Sequence, residues 1–253
     1  MRKRIAEIGL VALFALATVI ITGCTDEIDE APEYITIQGE QFSTELFELH
    51  LRGRHLNNSD IEPLRYMVNL INLYLTGNEI SDISVLAELP NLTDLQLDHN
   101  HINDISALAG LANLRELYLT GNEISDISVL ARATHLMDLQ LDHNQINDIS
   151  ALSGLTNLLD LGLRNNEIGD ISILSELTNL THLDLGSTQI SDISVLAELP
   201  NLTWLFLDNN QIRNISVLSE LTNLMFLGLS NNPISEEHIE EIRVALTNTE
   251  IFE

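Results

Sequence analysis

The sequence predicts an α/β solenoid, in which strands and short helical turns alternate around one continuous apolar core. A 22-residue pattern returns from Leu70 until the chain is nearly finished. In each copy Leu occupies the first, fourth and sixth positions, so apolar and variable residues alternate as in a strand with one buried face. Most copies place Asp-Ile before another Leu, where the Asp can cap a helical turn. Each unit must therefore bury its apolar face against its neighbours.

The repeat pattern is L-x-x-L-x-L-x-x-N-x-I, followed by D-I-x-x-L. Its copies begin at Leu70, Leu92, Leu114, Leu136, Leu158, Leu180 and Leu202, with a truncated copy at Leu224. The pattern resembles the leucine-rich repeat family, and the short unit is similar to the internalin type of bacterial surface proteins. The resemblance covers residues 46–234. It implies a right-handed horseshoe with a parallel sheet on the concave face and short helical turns on the convex face.

Two repeated polar positions are interpreted as structural. The ninth-position Asn follows the strand, where a side-chain amide can satisfy backbone groups of the turn. These residues are Asn78, Asn100, Asn122, Asn144, Asn166, Asn210 and Asn232. Thr188 interrupts the series, so we expect a looser or differently hydrogen-bonded turn there. The predicted caps of the helical turns are Asp82, Asp104, Asp126, Asp148, Asp170 and Asp192, with Asn214 in the same role.

Residues 1–23 are predicted to be a secretion signal. Three basic residues precede an apolar run from Ile8 to Ile21, which is shorter than the roughly 20 residues that a membrane span needs. The run ends in Ile-Thr-Gly-Cys, which resembles the lipobox of bacterial lipoproteins. In that family the equivalent of Cys24 carries the lipid, and two or more acyl chains give stable anchoring. The alternative is an ordinary signal peptide with an unrelated Cys.

The chain from residue 24 onward is predicted to consist of four segments. Residues 24–33 are polar and acidic and are predicted to be a tether. Residues 34–69 are predicted to form an N-terminal cap, with a turn at Gln38 and Gly39, and an irregular first repeat in which Leu46 takes the first Leu position. Residues 70–234 hold the 22-residue repeats. Residues 235–253 are predicted to form a helical cap, with Ser235 as N-cap and a short extended tail at its end.

The composition limits the choice of function. The formal net charge is -27, and without residues 1–23 the chain has 8 basic and 37 acidic residues. Lys3 is the only Lys. A nucleic-acid partner is thereby excluded, since it needs a basic surface. No sequence motif of a catalytic or cofactor site is present, so we predict a non-enzyme without cofactors. His99 and His143 lie two repeats apart, about 10 Å, which is too far for one metal ion.

The exposed face of the strands carries the candidate binding residues. Trp204, Phe206 and Phe226 are predicted to form one exposed patch that anchors a partner, or alternatively to be covered by the C-terminal cap. Asp94, Glu116, Asp138 and Asp160 are predicted to form a column about 5 Å apart, which a basic surface or a divalent cation such as Ca²⁺ could neutralise. Arg115 and Arg164 could also offset its repulsion. Simple copying of repeats is the alternative origin of this column.

Together these features predict a lipid-anchored, extracytoplasmic protein of the cell envelope, located at the outer membrane or cell surface. The resemblance implies that its concave face binds another macromolecule, most readily a protein. The alternative is a glycan or envelope polysaccharide, for which Trp204, Tyr74 and Tyr118 would be stacking platforms. Competition by soluble sugars would distinguish the two.

Overall fold

The computed structural model describes residues 31–253. The predicted signal, Cys24 and most of the tether lie outside these residues. The strands are β1 (Tyr34–Ile37), β2 (Glu40–Ser43), β3 (Glu48–His50), β4 (Asn72–Tyr74), β5 (Asp94–Gln96), β6 (Glu116–Tyr118), β7 (Asp138–Gln140), β8 (Asp160–Gly162), β9 (His182–Asp184), β10 (Trp204–Phe206), β11 (Phe226–Gly228) and β12 (Glu250–Phe252).

Strands β3 to β12 form one ten-stranded parallel sheet in chain order, and each repeat contributes one strand. The α-helices are α1 (Asn58–Ile61) and α2 (Glu236–Ala245). Short 3-10 helices lie at Glu62–Tyr66, Ser84–Glu88, Ser106–Gly110, Ser128–Arg132, Ser150–Leu152, Ser172–Glu176, Ser194–Glu198 and Ser216–Glu220. The predicted α/β solenoid is confirmed, with the sheet on its concave face and the short helical turns on its convex face.

The core runs between the sheet and the helical turns. The Leu residues of each strand point inward, and Leu73 and Leu75 are fully buried, as are their equivalents in later repeats. Burying each such side chain contributes about 1.5–3 kcal/mol. Leu46 differs from the prediction, since it is 36% exposed. It precedes the first strand of the sheet, so no earlier repeat covers it.

The ninth-position Asn residues form the predicted ladder between repeats. Asn100 donates through its amide to the carbonyls of Leu75 (3.1 Å) and Leu97 (2.9 Å), and its Oδ1 accepts the Ile80 N–H at 3.1 Å. The side chain is buried, so these bonds satisfy backbone groups that water cannot reach. One amide therefore links two successive turns.

Thr188 changes this bonding. Its hydroxyl donates to the Leu185 carbonyl at 2.7 Å, and its N–H donates to Oδ1 of Asn210 at 3.0 Å. The Thr188 side chain is fully buried. These bonds lie within its own repeat and to the next one, so the turn is differently hydrogen-bonded, as one of the two expectations stated.

A second side-chain ladder was missed from the sequence. The last residue of most repeats is Asn, and its amide donates to a carbonyl of the preceding repeat, as from Asn91 to Val68 (2.9 Å) and from Asn157 to Thr134 (2.8 Å). His135 replaces Asn and contacts the Ala112 carbonyl at 3.1 Å. The 22-residue spacing of these Asn residues was a sufficient signal.

The two ends of the sheet are covered differently. At the start, β1 and β2 form an antiparallel hairpin whose turn residues Gln38 and Gly39 both have positive φ. At the other end, the Ser235 hydroxyl accepts the His238 N–H at 3.3 Å and begins α2. Strand β12, predicted only as an extended tail, pairs with β11 and lengthens the sheet.

Candidate functional site

The concave face is built from side chains in register. The third position of each repeat forms one column across the sheet, because parallel pairing aligns residues 22 apart. Its members are Glu48, Asn72, Asp94, Glu116, Asp138, Asp160, His182, Trp204, Phe226 and Glu250. The column is acidic in the middle and aromatic towards the end, as the sequence predicts.

Neutral donors stabilise the acidic part of this column. The Tyr118 hydroxyl donates to Asp138 at 2.7 Å. The Gln140 amide donates to Asp138 at 2.8 Å and to Asp160 at 2.9 Å, and so bridges two neighbouring carboxylates. Burial, followed by the charges of Asp94 and Asp138, raises the pKa of Glu116. Fixed donors therefore hold Asp138 and Asp160 in place, while Glu116 bears the repulsion of its neighbours.

Arg164 does not serve this column, contrary to expectation. Its guanidinium lies 3.6 Å from Asp184 and 3.9 Å from Asp208, which stand on the fifth and seventh positions of later repeats. Gly186 makes room for it, since a Cβ there would lie 2.4 Å from the Arg164 guanidinium. Among residues 31–253 no ion pair involves Arg115, the other expected cation. Tyr, Gln and Arg side chains thus partner carboxylates of this face.

Seventh-position Asp residues have a role that was not predicted. Asp98 accepts the Thr120 N–H at 3.0 Å, and Asp142 accepts the Arg164 N–H at 2.6 Å. Each therefore binds the backbone of the next repeat where the strand ends. Burial outweighs this bond for Asp142 and raises its pKa to about 6. The charged form of Asp142 is accordingly disfavoured in the folded protein.

The aromatic residues near the end form one cluster. The Trp204 ring lies 4.4 Å from Phe226, 6.3 Å from Phe206 and 5.4 Å from His182, measured between ring centroids. Trp204 is 37% exposed. Helix α2 packs instead against the 3-10 helix of the last full repeat, on the convex side. The cluster is therefore available on the concave face.

Tyr74 and Tyr118 are not part of this cluster. Tyr74 lies in β4, where it stacks on His50 at 4.5 Å and carries the Arg52 guanidinium 4.5 Å from its ring centroid. Tyr118 in β6 bonds to Asp138. Four strand spacings, about 19 Å, separate β6 from Trp204. A small ligand cannot touch all three rings.

His99 and His143 occupy tight turns after their strands. Both have φ of 54°, the left-handed conformation that other repeats assign to Gly, Asn or, at position 187, Ser. Within residues 31–253 no group of three potential ligands is placed to hold a metal ion. The same part of the chain contains no helix with the length and apolarity of a membrane span.

The fold and the repeated face define a leucine-rich repeat protein, and comparison with known proteins agrees. Family models described as leucine rich repeats match residues 68–132, 156–198 and 178–234, and a further one matches residues 132–153. The chain belongs to the leucine-rich repeat family. No curated protein sequence matches it.

Among solved structures, the chain is similar to internalin C2 of Listeria monocytogenes, with 38% identity over 76% of this chain and 86% of that one, and a TM-score of 0.72. It is 31% identical to a leucine-rich repeat protein of Leptospira interrogans, over 75% of this chain and 50% of that one, with a TM-score of 0.70. A plant peptide hormone receptor in complex with RGF2, 21% identical over 76% of this chain and 33% of that one, shares the fold with a TM-score of 0.64.

Proposed function

We propose that this protein is an extracytoplasmic, lipid-anchored binding protein whose concave face recognises a protein ligand. The observation that carries the proposal is the exposed cluster of Trp204, Phe206 and Phe226 on an otherwise polar sheet face. Exposed, clustered aromatic residues are the usual anchors of a protein interface. The repeats hold them on a rigid surface, which lowers the entropic cost of binding.

The acidic and Gln-rich part of the face would form the polar surroundings of that anchor. Gln140 and Tyr118 hold their carboxylates in fixed positions, so this part of the face is organised before a partner arrives. Preorganised polar groups favour specificity and association rate. A divalent cation has less support here, since amide and hydroxyl donors already bind Asp138 and Asp160.

A glycan ligand has less support than a protein. Its expected platforms are distributed over six strand spacings from β4 to β10, and Arg52 and His50 cover the Tyr74 ring. Of the three expected platforms, Trp204 is the one whose side chain is exposed. We therefore retain the protein ligand as the function, and soluble sugars serve as competitors in its test.

The function can be tested by photo-crosslinking in cells. A photoreactive amino acid replaces Glu116 on the concave strand β6, or Glu176 at the end of a convex helical turn, as the matched control. We expect a crosslink to a discrete protein from position 116 and none from position 176, unaffected by soluble sugars. Equal crosslinking from both positions, or a crosslink abolished by sugars, would contradict the proposal.

The anchor is a separate part of the proposal and rests on the lipobox-like sequence ending in Cys24. The Cys24→Ala variant lacks the thiol that would carry the lipid. We expect it to leave the membrane fraction or to retain its signal, with Thr25→Ala as a control that does neither. Membrane-bound, acyl-labelled Cys24→Ala protein would refute the anchor and leave the binding face unaffected.

A further inference from the structure

The aromatic cluster is surrounded by carboxylates, and this arrangement indicates the chemistry of the partner. We propose that the Trp204 end of the concave face binds a basic protein segment, an inference that rests on the proposed function. An Arg or Lys side chain of this segment lies on the Trp204 and Phe226 rings. The carboxylates of Asp184, Asp208 and Glu250 surround it.

The parallel register places an acid beside two of the three aromatic residues, and Trp204 lies between them, next to His182 and Phe226. Glu250 of β12 pairs with Phe226, and Asp184 of β9 pairs with Phe206. Asp208 leans towards Phe206, where Gly228 leaves space: a Cβ on Gly228 would lie 2.6 Å from the Asp208 carboxylate and 3.0 Å from the Phe206 ring. The aromatic surface is thus bordered by acids on both sides of the cluster.

This combination selects a cation. The face of an aromatic ring carries negative potential and attracts an ammonium or guanidinium group, Trp most strongly. A carboxylate at the edge of the ring adds a charge-assisted hydrogen bond. An acidic or uncharged segment would gain only the apolar contact and would leave the excess negative charge around the cluster uncompensated. Charge complementarity therefore favours a basic occupant over an apolar or acidic one.

The other end of the same face already shows this type of contact within the chain. The Arg52 guanidinium lies over the Tyr74 ring, with the two residues on neighbouring strand segments. Arg164 lies between Asp184 and Asp208. Over residues 31–253, no Arg lies above Trp204 or Phe226. The protein supplies its own cation to Tyr74 and leaves the position above the Trp204 cluster open.

Arg164 does not neutralise this end of the face. One guanidinium faces Asp184 and Asp208, while Glu250 lies on β12, at the other side of the cluster. The chain from residue 24 onward has 37 acids and 8 bases and no Lys. A basic partner is attracted by the whole molecule and finds its specific contacts at this cluster.

Trp204 provides the measurement, because it is the only Trp of the chain. The full chain is titrated at a fixed ionic strength of about 0.15 M with a short peptide containing three Arg, and with the same peptide containing citrulline, which has the shape of Arg without its charge. We expect the Arg peptide to change Trp204 fluorescence with an affinity at least about fivefold higher than that of the citrulline peptide. Equal affinities would overturn the proposal.

Two variants locate the contact. Asp184→Asn removes a charge beside the cluster and retains an oxygen for the Gly186 N–H, which the Asp184 carboxylate accepts at 2.8 Å. Asp94→Asn also removes one negative charge, but on β5, five strands from Trp204 on β10. We expect Asp184→Asn to lower the affinity for the Arg peptide about threefold or more. Asp94→Asn should lower this affinity by less than half as much. Equal losses would show nonspecific attraction and overturn the proposal.

The outcomes separate this inference from the proposed function. Suppose that a protein partner crosslinks to position 116 but the Trp204 fluorescence does not distinguish the Arg peptide from the citrulline peptide. This result would support the binding face and refute the basic contact. Selective binding of the Arg peptide without a crosslinked protein refutes the proposed function and leaves the cation site. Phe226→Leu, which keeps an apolar side chain but removes one of the two rings, should reduce the preference for Arg. An unchanged preference would contradict the role of the rings.

Discussion

Asp126 on the convex face and Asp142 on the concave face of this solenoid have opposite shifts in pKa. On the convex face Asp126 is fully exposed and accepts the Ser128 N–H at 2.8 Å, and that bond, with a second from the Ser128 hydroxyl, lowers its pKa. On the concave face Asp142 accepts the Arg164 N–H at 2.6 Å, but burial raises its pKa to about 6.

The difference between the faces is one of solvent, since both aspartates receive a backbone donor. On the convex side water remains and the hydrogen bond decides the shift. On the concave side neighbouring side chains displace water, and the charged form is disfavoured until an opposite charge arrives. Asp126 therefore completes a turn of the fold, whereas Asp142 retains unfavourable charge that a basic partner can relieve.

Asp142→Asn should give the larger effect on stability. Its folded-state pKa is raised, so ionisation destabilises the fold above about pH 6, and the Asn oxygen still accepts the Arg164 N–H. We expect the free energy of unfolding to rise by about 1 kcal/mol at pH 8 in urea titrations, less than the full shift of pKa would carry because the group is partly solvated. The gain should vanish as the pH falls from about 6 to about 4. A loss of stability at pH 8 would contradict burial as the cause.

Asp126→Asn should give a smaller effect of opposite sign. Its folded-state pKa is lowered, so the ionised carboxylate stabilises the fold above its ordinary pKa of about 4, and this contribution is lost at lower pH. We expect a small loss of stability at pH 8 that diminishes as the pH falls through the lowered pKa of Asp126. Equal pH dependence of the two variants would show that the faces do not differ as described.

The sequence predicted the features that depend on the repeat itself. The strand, the buried Leu residues and the Asn ladder all follow from a 22-residue period, because stacking gives each position the same environment in every copy. The substitution at Thr188 was also recognised, though its consequence depended on Asn210 in the next repeat. The last-position Asn residues follow the same period and were overlooked.

The remainder of the site depends on side-chain direction, which the period does not determine. The Gln140 amide adopts one rotamer in which it donates to two carboxylates. The Arg164 side chain points towards Asp184 and Asp208 because Gly186 leaves space. Strand β12 joins the sheet although it lies outside the repeat pattern. These contacts join variable residues of different repeats, so no single repeat reveals them.

The most direct test of the central claim compares affinity and stability in Trp204→Ala. For the protein captured through position 116, we expect the variant to lose at least about 30-fold in affinity, as for a truncated interface anchor, while its free energy of unfolding falls by less than about 1 kcal/mol. Ala87→Ser, on a convex helical turn, should change neither. A stability loss of several kcal/mol with unchanged affinity would show that Trp204 covers the end of the solenoid and is not its binding site.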